Sequence, residues 1–476
     1  MTTSTYYMPQ RALTCCTIAA LIFITLLAFT LCDTITAIIS LFSCTTAYLT
    51  ACFIYDKSEV ADNSGRLVLL LAGTILASFI ILNIHTYTAA PGYSAATPLL
   101  INHDANRYFA QSLGLYDGTL DIGDIPHPSL PFITAGLWKL LGVSIVYPLA
   151  ANMLLTLMSI ILGGRLATTL LHNRMPKASK SHISTVAMLL NTAVCNFMVH
   201  GSLLLREPVI YFSLVVIMLS LCDLFAGKGF KPAFVFLSGS VLLAFSRSHL
   251  LFFVLAGIIL LMLHKPRRNI RIALITSLII VACYIANESI TGYDSKYVSP
   301  AGMITDTQAM SANYLNLDRH DAYKNIIGNY FDKPPMSRIL LLPVTATVQF
   351  FVPFPWNYMR DTPFGFAQFF SHVSYPWYAI GGIIIFYFLF LWHKSDTPLQ
   401  LWALWTLFCY LVPAYLYAGT VSRYILPFVP FMIPLAIYSL HHIKKHKPRR
   451  LVATYATAYC LLVSATLITC HALQSS

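Results

Sequence analysis

Residues 67–85 read LVLLLAGTILASFIILNIH, a run without a single Asp, Glu, Lys or Arg. As a helix rising ~1.5 Å per residue it covers the ~30 Å hydrocarbon core of a bilayer. Its apolar positions are continuous and do not alternate, which excludes a strand of a transmembrane β-barrel. In lipid the backbone must satisfy its own hydrogen bonds, so such a run becomes a helix. Comparable runs flank it along the whole chain, at about 12–32, 34–55, 143–171, 182–204, 208–226, 232–246, 248–264, 272–288, 377–393, 399–419, 424–441 and 451–472. The first follows Arg11 and lacks a small-residue cleavage site, so it reads as a first span or signal anchor. Two further apolar pieces, 129–142 and 338–354, are interrupted by prolines or flanked by polar residues and read as re-entrant or interfacial helices. The expectation is an all-α polytopic transmembrane bundle of about 13 spans, a single membrane-embedded domain over 1–476.

Composition agrees. Hydrophobic residues make up 57% of the chain and charged residues 10%, against about 25% charged in soluble domains. The net charge of +12 sits in short segments between spans: Arg174, Lys177 and Lys180; Lys265, Arg267, Arg268 and Arg271; Lys444, Lys445, Lys447, Arg449 and Arg450. With the amino terminus inside, every dense basic cluster falls on the cytoplasmic face, as the positive-inside rule requires. No aromatic-interleaved basic groove accompanies them, so no nucleic-acid partner is expected. The 11 cysteines lie in or beside apolar runs, which implies neither a disulfide framework nor a CxxC metal site. His441, His442 and His446 belong to a basic stretch suited to lipid headgroups.

The same arrangement leaves two long polar segments on the outer side, about 86–130 and 289–338. Loops of this length are uncommon and often functional. The second holds a plausible surface helix, DRHDAYKNIIGNY over Asp318 to Tyr330, whose His320, Asp318 and Asp321 read as solvated. The VPFPWNYMRD stretch, with Pro353, Pro355, Trp356, Arg360 and Asp361, reads as an interfacial aromatic belt. The first loop carries more chemistry. His103-Asp104 opens a short helix that places Asp104, Arg107 and Tyr108 near one face. Asp117, Asp121 and Asp124 follow closely; Asp117 and Asp121 read as loop acids. Asp104, flanked by aromatic and basic groups near the membrane surface, is the candidate general base. His127-Pro128-Ser129-Leu130-Pro131 then leads into a run closing on Leu141-Gly142.

An Asp in the first large outer loop, followed by HPSLPFITAGLWKLLG, resembles the GT-C glycosyltransferase superfamily, particularly its protein-mannosyltransferase-like and aminoarabinose-transferase-like members. The stretch SRYILPFVPFMIPLA, Ser422 to Ala436, is similar to the Arg-Tyr helix of those enzymes. Where they carry an acidic pair in the loop, this chain has His103-Asp104 and then Ala105. The resemblance implies transfer of a sugar from a polyprenyl-phosphate donor to a glycan, lipid or protein acceptor on the outer face, by direct, inverting displacement at the anomeric carbon. It also implies a place in cell-envelope polysaccharide synthesis. A bacterial inner membrane, with the site facing the periplasm, is the expected setting.

Such a reaction needs a base for the acceptor proton and cations for the departing phosphate. Arg206-Glu207-Pro208, Arg247 with His249, and Arg423 with Tyr424 stand where apolar spans meet the outer face. Singly, such arginines anchor a span at the interface by snorkelling. Three on one face, none in a basic cluster, suggest a shared anionic site, because the planar guanidinium matches phosphate oxygens. Asp104 is thus the catalytic candidate; His103, Arg107, Tyr108, His127, Arg206, Glu207, Arg247, His249, Arg423 and Tyr424 are the substrate-binding ones. No cofactor is expected, and the sequence holds no convincing divalent-metal site.

The LLLREPVIYF and FSRSH stretches also resemble, more loosely, O-antigen and exopolysaccharide polymerases acting on polyprenyl-diphosphate glycans. A lipid-linked sugar flippase or transporter is the alternative of a different class. Against it stand the absence of an internal repeat and the two long outer loops.

Overall fold

The computed structural model describes residues 9–89, 103–125, 127–264, 266–291, 330, 333–351, 375–418 and 424–445. Among them every regular element is helical, and ten helices are long and apolar enough to cross a membrane. The protein is an integral, multi-pass membrane bundle. The chain divides into two compact units, one comprising Met1–Thr192 with Phe197–Tyr293 and the other Ala193–Asn196 with Asp294–Ser476.

The first unit begins with a hairpin of α1 (Gln10–Leu31) and α2 (Thr34–Asp56). Asp33 caps α2 by accepting from the Thr36 amide at 3.0 Å, which turns the chain back after one span. Ile18, Leu21, Ile22, Phe23, Leu26, Phe29 and Phe42 are exposed along the pair, as lipid-facing side chains must be. Next come α3 (Asn63–Ala89), α4 (His103–Asp117), a 3-10 turn (Ile122–Asp124), α5 (Ser129–Leu141) and α6 (Val146–Leu171). At 13 residues α5 spans only ~20 Å, too short to cross, which fits the re-entrant or interfacial reading.

Helix α6 is the hub of the unit and packs against α2, α3 and α9 (Glu207–Phe225). Gly164 permits close approach of α7 (Lys180–Ala193): a Cβ there would lie 2.6 Å from Ser184 Oγ. The expected span 182–204 is not continuous. It breaks at Val194 into α7 and a short α8 (Cys195–Gly201), and residues 202–206 follow as irregular backbone.

Helix α9 packs along α10 (Lys231–Arg247), and both α10 and α11 (Leu251–His264) pack on α12 (Pro266–Thr291). The apolar stretch Lys231–Leu260 counts as one candidate span by length. It leaves the helical conformation at Arg247, whose φ of −165° and ψ of 80° end α10. That break lies where the sequence divides 232–246 from 248–264.

Ion pairs mark one end of the unit: Arg66–Asp56 at 2.9 Å, Lys180–Glu59 at 3.6 Å and Lys228–Asp223 at 2.7 Å. The opposite end gathers the C-terminal part of α3, the starts of α5, α6 and α9, and the end of α10. His85 Nδ1 meets the Leu31 carbonyl there at 2.6 Å. The positive-inside expectation makes the ion-paired end cytoplasmic and the other the outer end.

The second unit contains α13 (Pro335–Leu340), α14 (Leu342–Phe351), α15 (Tyr375–Phe386, continued by a π-helical turn Tyr387–Leu391), α16 (Thr397–Leu416) and α17 (Val429–Lys445). Helix α14 covers ~15 Å and packs on α16; Gln349 donates to the Tyr410 carbonyl at 2.7 Å and Tyr410 to that of Ala346 at 2.6 Å. The expected span 451–472 and the expected helix over 318–329 lie outside the described residues.

Candidate functional site

The end of the first unit away from its ion pairs is built on a buried stretch of non-helical chain. In residues 202–206 the Arg206 carbonyl accepts from the Ile210 amide and that of Leu203 from the Leu205 amide, but those of Ser202 and Leu205 need donors from elsewhere, which lipid does not offer. Two asparagines from neighbouring spans supply them. Asn83 Nδ2 donates to the Ser202 carbonyl at 3.1 Å, and Asn152 Nδ2 donates to those of Leu203 at 2.7 Å and Leu205 at 3.0 Å. Both asparagines are buried. The sequence reading passed over them, although an Asn within an apolar run is itself a signal of interhelical bonding. Replacing Asn152 by Leu leaves the Leu205 carbonyl bare and that of Leu203 with only the Leu205 amide, and is expected to destabilise the protein by about 1–3 kcal/mol. Asn83→Leu, which strands the Ser202 carbonyl and removes a donor to the Ser202 hydroxyl, should cost about as much; thermal unfolding in detergent measures both.

This pinned segment delivers Arg206 and Glu207 to the start of α9, where both are buried. Arg206 Nη1 donates to the Ser246 carbonyl at 3.1 Å, next to Arg247, which is only 2% exposed. Ser246 Oγ also lies 2.7 Å from Ser129 Oγ, tying the end of α10 to the first turn of α5. His127 therefore arrives beside the arginines. The charges of Arg206, Arg247, His249 and Arg107 all act on its ring, and its Nδ1 is buried without a hydrogen-bond partner among the described residues.

Burial first, and then those cations, hold the His127 imidazole well below its ordinary value of 6.5. The ring is neutral at pH 7, whereas an unfolded chain takes up the proton near pH 6.5. This contribution to stability is fully present above that value and is lost as pH falls towards the lower folded one. Thermal stability should therefore decline between about pH 7 and pH 5, with a shallower slope in His127→Gln. Equal slopes in the two proteins would contradict this account.

On the loop side, Asp104 stands in the first turn of α4, where the helix dipole favours a carboxylate. Its Oδ1 lies 3.4 Å from Arg107 Nη2. The Arg107 guanidinium lies over the Tyr108 ring at 5.2 Å, and Tyr108 itself is buried. The apolar face of α4 packs on α5 through Phe109 and Tyr116 against Trp138, with ring centroids 5.2 and 6.4 Å apart. Trp138 donates to the Ser144 carbonyl at 2.7 Å, just past Gly142, whose φ of 88° ends α5. The HPSLPFITAGLWKLLG stretch thus forms the shelf on which the Asp104 helix rests.

Of the candidates named from sequence, Asp104, Arg107, Tyr108, His127, Arg206, Glu207, Arg247 and His249 all belong to this unit. Arg107 links the Asp104 helix to the buried arginines through its effect on His127. His103 opens α4, but its side chain, like Arg423, lies outside the described residues. Tyr424 belongs to the other unit, stacked on Tyr417 at 4.0 Å. The unit thus holds two buried guanidinium groups whose charges reach His127, and a carboxylate, 28% exposed, paired with Arg107, whose charge also reaches that ring. The first pair is suited to hold an anion and the carboxylate to accept a proton. No protein-family model and no curated protein matches the chain.

Proposed function

We propose that the protein is a membrane glycosyltransferase of GT-C type, moving a sugar from a polyprenyl-phosphate donor to an acceptor on the outer face. The observation that carries this reading is the burial of Arg206 and Arg247 together, with both charges acting on His127. Two buried guanidinium groups carry more positive charge than the one buried carboxylate of that stretch, Glu207, can offset, and phosphate matches their planar forks. In this reading Arg206 and Arg247 hold the carrier phosphate and stabilise its charge as the anomeric bond breaks. Asp104 takes the acceptor proton, and Arg107 orients that carboxylate. His127 stays neutral until the anion is bound. The same pair of arginines would also suit the diphosphate of a polymerase substrate.

One observation favours a transport reading. Broken helices with irregular backbone, here α7, α8 and residues 202–206, are how many transporters build a substrate site. The two readings separate in the producing organism carrying Asp104→Asn. A transferase leaves lipid-linked sugar accumulated on the outer leaflet, whereas a flippase leaves it on the inner leaflet. Unchanged glycans and lipid intermediates in Asp104→Asn and in an Arg206/Arg247 double variant would sink both.

A further inference from the structure

The second unit holds a buried cation that the proposed reaction does not use. Arg338, on the short helix α13, is 8% exposed, and its Nε and Nη1 make no hydrogen bond among the described residues. No described carboxylate forms an ion pair with it. Its guanidinium lies over the Tyr415 ring at 5.4 Å. Tyr330, 1% exposed, closes the other side, donating to the Tyr415 carbonyl at 2.9 Å, and Thr345 is buried beside them. A buried charge without a counter-charge costs several kcal/mol, and an aromatic face returns only a part of that.

The outward side of the same helical turn identifies the missing partner. Met336 is 71% exposed, Ile339 50% and Leu340 81%. One turn therefore presents three apolar side chains outwards and a bare guanidinium inwards. A free anion would gain nothing from the apolar flank. A lipid fits both sides, with its phosphate at Arg338 and an acyl chain along Met336 and Leu340. We propose that Arg338, Tyr330, Thr345 and Tyr415, all in the second unit, form a binding site for the phosphate headgroup of a membrane lipid.

The test uses the full-length protein, delipidated in a neutral detergent, with thermal stability and native mass spectrometry as readouts. The probes are dioleoylphosphatidylglycerol, dioleoylglycerol and inorganic phosphate. Phosphatidylglycerol should stabilise the protein and be retained, while the diacylglycerol, lacking the phosphate, should do neither. Arg338→Gln should weaken phosphatidylglycerol binding by about tenfold, the loss of one charge-assisted contact. Arg338→Lys, which keeps the charge but not the fork, should fall between the two. Leu340→Ser leaves the interior untouched and should weaken the lipid alone, so the site stays testable if Arg338→Gln does not fold. Equal binding of phosphatidylglycerol by the Leu340→Ser and wild-type proteins would overturn the proposal. So would inorganic phosphate competing fully with the lipid, since that result marks a free-anion site.

Discussion

Replacing Arg206 and Arg247 together by glutamine is expected to lower sugar transfer by about three orders of magnitude or more. Removing one well-placed electrostatic group costs about 10²–10³ in rate where water is excluded. Both arginines meet that condition, with exposures of 9% and 2%. The two losses should not simply multiply, because both groups act on one anion and their effects are coupled. Arg107 provides the internal comparison. Its side chain is 49% exposed, so water screens it, and Arg107→Gln should cost only about tenfold. The assay is transfer from a lipid-linked donor in isolated membranes, normalised to folded protein. Normalisation matters because Arg206 also holds the Ser246 carbonyl and so contributes to the fold. Equal losses in the Arg107 and Arg247 variants would show that burial is not what makes these cations effective.

Asp104→Asn should reduce transfer by about 10²–10⁴, the range associated with loss of a general base. The amide preserves size and can still accept a hydrogen bond from Arg107, so α4 should remain on its shelf against Trp138. It cannot take a proton. Donor binding, set by Arg206 and Arg247, should change little, which places the defect in turnover and not in affinity. Asp104→Glu should recover part of the rate, since the longer carboxylate remains a base but is displaced. Asp121→Asn tests location: this residue caps the turn Ile122–Asp124, and its loss should leave the rate near that of the natural chain. An Asp121 variant as impaired as the Asp104 variant would move the base away from α4.

The bundle was legible in the sequence because hydropathy reports which side chains tolerate lipid. Runs such as 67–85 had no other stable fate, and the piece 129–142, interrupted by proline, forms a helix of 13 residues, Ser129–Leu141. Much of the site was legible for the converse reason: an arginine next to an apolar span, as at 206 or 247, is conspicuous. The backbone was not. Nothing in the composition of 182–204 marks the break at Val194 or the irregular segment 202–206. The groups that make that segment stable come from Asn83, 119 positions away from Ser202, and from Asn152. Such pairings exist only in three dimensions. Of the Arg-Tyr motif, Tyr424 belongs to the second unit, stacked on Tyr417, and Arg423 lies outside the described residues.

The two asparagines that hold residues 202–206 both precede that segment in the chain. During synthesis α3 and α6 therefore enter the bilayer first, carrying their amide donors with them. When the carbonyls of Ser202, Leu203 and Leu205 leave the ribosome, their partners are already at the depth where they are needed. The order of translation thus shortens the interval in which bare peptide groups would face lipid, and a kink that would be hazardous near the amino terminus is safe where it stands.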